Sequence, residues 1–340
     1  MLRAYRLLFC SLMIIGLTPA ASFASTQSGT PIVQSKAIQK VIKQLVSNHG
    51  FKKKELETVF RKVERQDKVI ELMNRPAEAL PWYRYRKIFV QETRISQGVE
   101  FWQKNLDTLA RAEEKYGVPA EVIVAIIGVE TRFGRNLGDF RVIDALATLV
   151  ADYPKRRRFF SKELVHYMKL VRKEKIDPFS IYGSYAGALG KPQFMPSSFL
   201  AYAIDFDKDG KRDLSSSDAD AIGSVANYLK KHGWNRNQPI TGRATVSGDR
   251  YHRLIKKGLK PQVTLDQAHT YGVSLKDGLP SELKGALIKL EGDQGSEYWV
   301  GLKNFYAITR YNHSALYAMA VYQLGQAIRD SRGRLAVANS

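Results

Sequence analysis

The chain has 340 residues, a formal net charge of +20 and one cysteine, with 44% hydrophobic and 25% charged residues. That balance excludes a polytopic membrane protein and a disordered tail protein, and the length predicts two compact units with a sizeable core. One cysteine excludes an intrachain disulfide and a cysteine-based zinc site, and the six scattered histidines never take the HExxH spacing of zinc hydrolases.

In chain order, residues 1–24 read as an export signal: Arg3 and Arg6, an apolar stretch from Leu7 to Ala21, and a small-x-small site, Ser22-Phe23-Ala24, before Ser25. Cleavage there removes Cys10. Cys10 also sits too early in the apolar stretch, after Leu8-Phe9, to be a lipid-attachment site. The expected product is soluble and periplasmic, without a lipid anchor or stable membrane insertion. Export argues against nucleic acid as the partner of so basic a chain and favours an anionic envelope polymer. The densest basic runs, Lys52–Lys54 and Lys155–Arg158, each read first as solvated surface, and it is the total charge that favours the polymer.

Residues 25–35 are rich in Ser, Thr, Gln and Pro and predict a flexible lead. From 36 to about 75, apolar residues at helical spacing (Ile38, Val41, Ile42, Leu45) predict two or three amphipathic helices. Over 100–116, Phe101, Trp102, Leu106, Leu109 and Ala110 are expected on one helical face. Pro119 then opens a run apolar on nearly every side, Val122 to Val129, which predicts a core helix. Residues 140–175 and 220–232 also read helical. Between 238 and 300 the texture changes to short β-prone pieces, 244–246, 262–265 and 297–300, separated by Gly, Pro and Asp. Helical pattern returns from Ala315 to Ile328. The fold class is mainly α with a small β-containing insertion.

Glu130 ends the apolar run. A carboxyl group held against a hydrophobic helix loses hydration, which raises its pKa and suits a general acid at neutral pH. The competing reading is a helix-end glutamate paired with Arg132 or Arg135. Glycosidases commonly use two carboxylates, but neither Asp139 nor Asp144 stands out as a second acid; Asp144 reads as a cap or polar helix residue. Gly183 to Ser198 combines small residues with Ser184 and Gln193, which suits close approach of a ligand or tight helix packing. Tyr306 to Ser314 sets aromatic rings beside Asn312, suited to stacking on sugars or to a core edge.

Ile127-Gly128-Val129-Glu130-Thr131-Arg132-Phe133-Gly134, Asp144–Leu149, Gly183–Ser198, Asp220–Tyr228 and Ile308–Ser314 together resemble the lytic murein transglycosylase B family, from about Pro81 to Ile328 and in the family's order. The resemblance implies a lysozyme-like α core over 111–235, an N-terminal helical region over 36–110, the insertion at 236–302, a C-terminal helical return over 303–330 that completes the cleft, and a tail at 331–340. It implies non-hydrolytic cleavage of the bond between N-acetylmuramic acid and N-acetylglucosamine in peptidoglycan glycan strands, leaving 1,6-anhydro ends. Glu130 falls on the family's catalytic glutamate, acid first and base second, with no catalytic cofactor. Family binding positions fall on Tyr85, Ser184, Gln193, Tyr228, Tyr311, Asn312 and Tyr317. Lys191-Pro192 departs from the aromatic-glycine pair of some members. Cell-wall remodelling proteins are the partners such an enzyme is expected to meet. A hydrolytic muramidase and a non-catalytic peptidoglycan-binding scaffold are the alternative functions.

Asp205-Phe206-Asp207-Lys208-Asp209-Gly210-Lys211 matches the first half of an EF-hand loop, with oxygens at positions one, three and five, the turn glycine at six and a carbonyl from Lys211 at seven. Position twelve is Ser216 rather than glutamate. On the resemblance, Asp220 closes the loop (205–220) around a structural calcium; the alternative is an acidic turn without metal.

Overall fold

The computed structural model describes residues 30–75, 80–276 and 278–338; the expected export signal and Cys10 lie outside them. Seven helices come first: α1 (Lys36–His49), α2 (Lys53–Arg61), α3 (Asp67–Asn74), α4 (Trp82–Phe89), α5 (Glu92–Lys104), α6 (Leu106–Tyr116) and α7 (Ala120–Thr131). A two-residue strand β1 (Phe140–Arg141) leads into α8 (Val142–Asp152) and α9 (Arg157–Glu174), and its antiparallel partner β2 (Tyr182–Gly183) precedes α10 (Pro196–Tyr202) and α11 (Asp218–Lys231). Next come β3 (Thr241–Val246), α12 (His252–Ile255), β4 (Val263–Thr264), α13 (Leu265–Thr270), β5 (Val273–Leu275), β6 (Lys284–Gly292) and β7 (Gly295–Gly301). Two helices close the chain, α14 (Lys303–Tyr311) and α15 (Ala315–Ala338).

Contacts divide the described chain into two compact units, one of residues 80–135 and 217–338, the other of residues 30–75 and 136–216. The expected core at 111–235 contributes to both, because helix packing joins pieces distant in sequence. In the first unit α7 packs on α15, α5 and α11. In the second, α8 packs on α9, with α1 against both.

The first unit is organised by α7. Its residues Val122 to Ile127 are each at most 2% exposed, and burying a side chain of this size is worth roughly 1.5–3 kcal/mol. Close packing against α7 depends on missing side chains. A Cβ on Gly128 would lie 2.6 Å from the Phe133 ring, and one on Gly325 of α15 would lie 2.9 Å from the Glu121 carbonyl. The helix ends where Arg132 turns left-handed at φ 50°, its amide closing on the Gly128 carbonyl. The same unit carries a five-stranded antiparallel sheet, order β4-β6-β7-β3-β5. One sheet face buries Ala244, Leu287 and Val300 against Leu254 of α12 and Leu265 and Ala268 of α13.

In the second unit two buried acids join distant segments. Asp144, fully buried, accepts the Glu64 amide at 3.1 Å and the Arg141 guanidinium at 2.6 Å. Glu163 of α9 accepts both the amide and the hydroxyl of Ser197, holding the start of α10.

Several expectations are corrected. The 25–35 lead is packed at its end, where Ile32–Gln34 form a 3-10 turn with Ile32 and Val33 buried. The 331–340 tail is helical as far as Ala338. Leu106 and Ala110 do not share a face with Phe101 and Trp102: the helix breaks at Asn105, whose side chain donates back to the Phe101 carbonyl, and the restart turns Leu106 and Ala110 outward.

Candidate active site

In the first unit Glu130 occupies the last turn of α7. Tyr317 of α15 donates its hydroxyl to Glu130 Oε1 at 2.6 Å. The residue keeps part of its surface open, as contact with a substrate requires. The carboxyl itself is packed densely enough that burial pushes its pKa up to about 7, against a smaller opposing pull from the Tyr317 hydroxyl. The competing ion pair is not formed. Arg135 reaches Glu100 instead, at 3.1 Å, and among the described residues no ion pair to Glu130 is seen. Its acid form is therefore populated near neutrality.

The rings beside Glu130 form a continuous aromatic layer. Tyr311 stacks parallel to Tyr317 at 6.3 Å, and Tyr228 of α11 lies 4.7 Å from Tyr311. Tyr228 donates its hydroxyl to the Arg310 carbonyl at 2.7 Å and stacks on His232 at 4.0 Å. Burial first, then the Glu130 charge, raise the pKa values of Tyr311 and Tyr317 well above the usual phenol range, so both remain neutral donors. The charges acting on them are those of Glu130 and neighbouring tyrosines; among the described residues none comes from a second carboxylate. Tyr85 of α4, 3% exposed, acts weakly on Tyr317 and packs on Phe89 at 5.1 Å. Asn312 follows Tyr311 at the end of α14 and is half-buried.

Of the residues expected to bind substrate, Tyr85, Tyr228, Tyr311, Asn312 and Tyr317 thus belong to the unit of Glu130, and Ser184 and Gln193 to the other. Ser184 Oγ accepts the Ala188 amide at 3.0 Å, which tightens a turn through Gly187. Gln193, at φ 50°, donates its amide to the Leu137 and Gly190 carbonyls. Lys191 is buried and donates to the Ser216 carbonyl at 2.8 Å. Tyr317 is the residue whose role reading the sequence missed: it holds the acid as well as lining the site. Nothing at a separation of 187 residues announces such a bond.

The acidic loop lies in the second unit. Carboxylate oxygens of Asp205, Asp207 and Asp209 all fall within 4.8 Å of one another. Backbone amides arrange them: Asp209 and Gly210 donate to Asp205, Asp209 also to Asp207, and Lys211 to Asp209, over 2.8–3.3 Å. Gly210 supplies the turn at φ 88°. Three converging carboxylates with lone pairs to spare fit a hard divalent cation. Asp213, at position nine, accepts the Ser215 and Ser216 amides and so shapes the loop's exit. Asp220 lies on α11 in the first unit, 1% exposed, its amide capped by Ser217.

Comparison with known proteins places these features in context. The transglycosylase SLT domain family matches residues 34–326. Membrane-bound lytic murein transglycosylase B of Escherichia coli K12 is 41% identical over 316 residues, covering 90% of this chain and 86% of that protein. Among solved structures, soluble lytic transglycosylase SltB1 of Pseudomonas aeruginosa superposes with a TM-score of 0.83 at 48% identity, covering 86% of this chain and 98% of that one. Escherichia coli lytic transglycosylase Slt35 in complex with calcium gives 0.81 at 42% identity, over 89% and 96%. SltB3 of Pseudomonas aeruginosa in complex with NAG-anhNAM-pentapeptide gives 0.76 at 31%, over 87% and 80%.

Proposed function

The chain belongs to the transglycosylase SLT domain family, and from that premise we propose how this peptidoglycan lytic transglycosylase works: Glu130 alone serves as acid and then as base. The observation that carries this is a carboxyl group with a pKa of about 7, held by Tyr317 and flanked by tyrosines rather than by a second carboxylate. Protonated Glu130 gives its proton to the oxygen bridging N-acetylmuramic acid and N-acetylglucosamine. The C1–O bond breaks, N-acetylglucosamine leaves as an alcohol, and the muramyl N-acetyl carbonyl bears the positive charge left at C1. The Glu130 carboxylate, stabilised by the Tyr317 hydroxyl, then removes the proton from the sugar's own 6-hydroxyl. That oxygen bonds to C1, closes a 1,6-anhydro ring and returns Glu130 to its acid form, with no water consumed. A lone carboxylate suffices because the substrate supplies the nucleophile. Tyr311 and Asn312 are assigned to contacts with the sugar beside Glu130, with Tyr228 and Tyr85 supporting the aromatic layer. Ser184 and Gln193 are assigned to saccharide contacts from their own unit.

Asp205, Asp207, Asp209 and the Lys211 carbonyl would hold a calcium ion with a structural role, and Asp220 is retained as a further candidate ligand. The convergence of the three carboxylates and the calcium complex of Slt35 support this reading. Residues 1–24 are proposed as the export signal to the periplasm. No helix among the described residues is long and apolar enough to cross a membrane.

Mass spectrometry of peptidoglycan digested by the purified protein tests the reaction. Anhydromuramyl ends are expected; reducing ends would make it a hydrolase. Unchanged digestion by Glu130→Gln would remove Glu130 from the mechanism.

A further inference from the structure

Every exposed residue of α9 is a cation: Arg158, Lys162, Arg172 and Lys173, with His166 and Lys169 half-buried between them. The order Arg158, Lys162, His166, Lys169, Lys173 advances by three or four residues, so these side chains share one face. At the helical rise they make a stripe about 22 Å long. The acids around this face are engaged elsewhere. On α9 itself Glu163 is held by Ser197 and Glu174 by Arg212. Asp177, beyond the end of the helix, accepts the Phe179 amide. Of the helices packed on α9, α1 and α10 contain no acid, and on α8 Asp144 is held by Arg141 and Asp152 by Arg65. The Arg172 guanidinium lies over the Phe51 ring, 3.7 Å from its centroid, which brings the end of α9 against the segment that follows α1. His49 at the end of α1 feels the same field: burial first, then Lys169, Arg172 and His166, lower its pKa.

Nearby helices of the same unit treat their cations differently. On α2, Lys53 and Arg61 flank Glu57, and on α3, Lys68 and Arg75 flank Glu71. Like charges one helical turn apart destabilise a helix, whereas opposite charges support it. A solvent-open stripe of one sign instead draws a polyanion to the surface. The polymer on which the enzyme acts carries peptides with free carboxylates, the complementary charge. A lipid surface fits less well, because α9 exposes no apolar side chain to enter the headgroup boundary. None of these cations is among the groups that act on Glu130, so they attract the polymer and leave the acid form of the catalytic group intact.

We propose that the exposed face of α9 is a docking surface for the carboxylates of the peptides borne by the wall polymer. This rests on the peptidoglycan reading above. It goes further in giving the unit without Glu130 a function of its own, retention on the polymer, with Arg158, Lys162, Lys169, Arg172 and Lys173 as binding rather than catalytic residues.

The test uses insoluble peptide-bearing strands and the same strands with their peptide carboxylates converted to amides. Sedimentation in the cold reads binding, and digestion on warming reads KM and kcat. For the unmodified protein, amidation is expected to weaken binding about tenfold. A variant combining Arg158→Gln, Lys162→Gln and Lys173→Gln, all exposed positions, should bind peptide-bearing strands about tenfold more weakly and respond less than twofold to amidation. Its kcat should stay within about twofold of the parent. Lys162→Arg with Lys173→Arg should bind as the parent does, and added salt should narrow the gap between the parent and the glutamine variant. A tenfold change corresponds to about 1.4 kcal/mol, which three exposed ion pairs of modest strength supply together. Equal weakening of the variant on both kinds of strand would overturn the proposal. So would a parent indifferent to amidation, a result that needs no variant to fold. Retention of the parent on vesicles of anionic phospholipid, lost in the glutamine variant while strands are held as before, would assign the face to lipid instead. Failure of the parent to release anhydro products from any strand would reject the enzyme reading, while sedimentation would still decide the docking.

Discussion

The carboxylate at the end of α7 and the carboxylates of the 205–213 loop are assembled over very different lengths of chain. Tyr317 lies 187 residues from Glu130, and the aromatic layer around the acid joins α4, α11, α14 and α15. In the loop, the bonds that shape the three aspartates span at most five residues. The first site therefore owes its chemistry to the tertiary fold and responds to changes far away. The second owes its geometry to a short motif and responds to local changes and to the ion it would hold.

Glu130→Gln presses hardest on this contrast. Loss of proton transfer is expected to lower anhydro-product release by about 10²–10⁴-fold, measured by mass spectrometry of digested strands. Its stability should move the other way. The folded carboxyl keeps its proton up to about pH 7, whereas an unfolded glutamate loses it near 4.5. The folded state thus binds more protons across that window, and stability falls as pH rises through it. The glutamine variant escapes this loss, so its melting temperature at pH 8 should exceed that of the parent, by an amount reflecting on the order of 1–3 kcal/mol. Below pH 4.5 the two should converge. Unequal melting there and equal melting at pH 8 would deny the raised pKa.

Gly128→Ala tests the packing behind the acid. The new methyl would meet the Phe133 ring at 2.6 Å, and overpacking of this kind costs about 1–3 kcal/mol. Denaturant unfolding should show that loss together with weakened activity. Full stability with full activity would mean that the end of α7 tolerates more room than its contacts indicate.

Tyr317→Phe is expected to be milder, roughly a tenfold loss. Its signature is the pH profile: the rate should decline as pH rises past about 7, where Glu130 loses its proton. Tyr317 favours the ionised carboxylate, so removing its hydroxyl should move that decline to higher pH. A shift to lower pH would reverse the assigned direction.

The smallest effect on catalysis is expected from calcium, whose contribution is to stability. At a hundredfold excess over its dissociation constant, a bound ion adds about 2.7 kcal/mol. A chelator should therefore lower the melting temperature by a few degrees and hardly change the pH profile of Glu130. Asp207→Asn or Asp209→Asn should weaken the response to added calcium. A melting temperature indifferent to both chelator and metal would leave the loop an acidic turn.

Some of this was readable in advance, and the misses have physical causes. The run Val122–Val129 announced a buried helix because it has no polar face, and Glu130 stood out because it ended that run. The order of aspartates and glycine at 205–210 announced its turn because the bonds that make it are local. Strand β6 was overlooked: Ala286, Leu287, Ile288 and Leu290 are all buried, so the sheet is covered on both faces there and the alternation that marks a half-exposed strand is lost. Leu106 misled because a hydrophobic spacing continues across Asn105 while the helix does not.

Helical content, the apolar α7 and the acidic loop were determined by residue order alone, because propensity, periodicity and turn chemistry act over a few residues. The proton affinity of Glu130 and the hold of Tyr317 on it were decided by tertiary packing. Desolvation and charge interaction depend on what surrounds a group in space, and those neighbours come from helices separated by long stretches of chain.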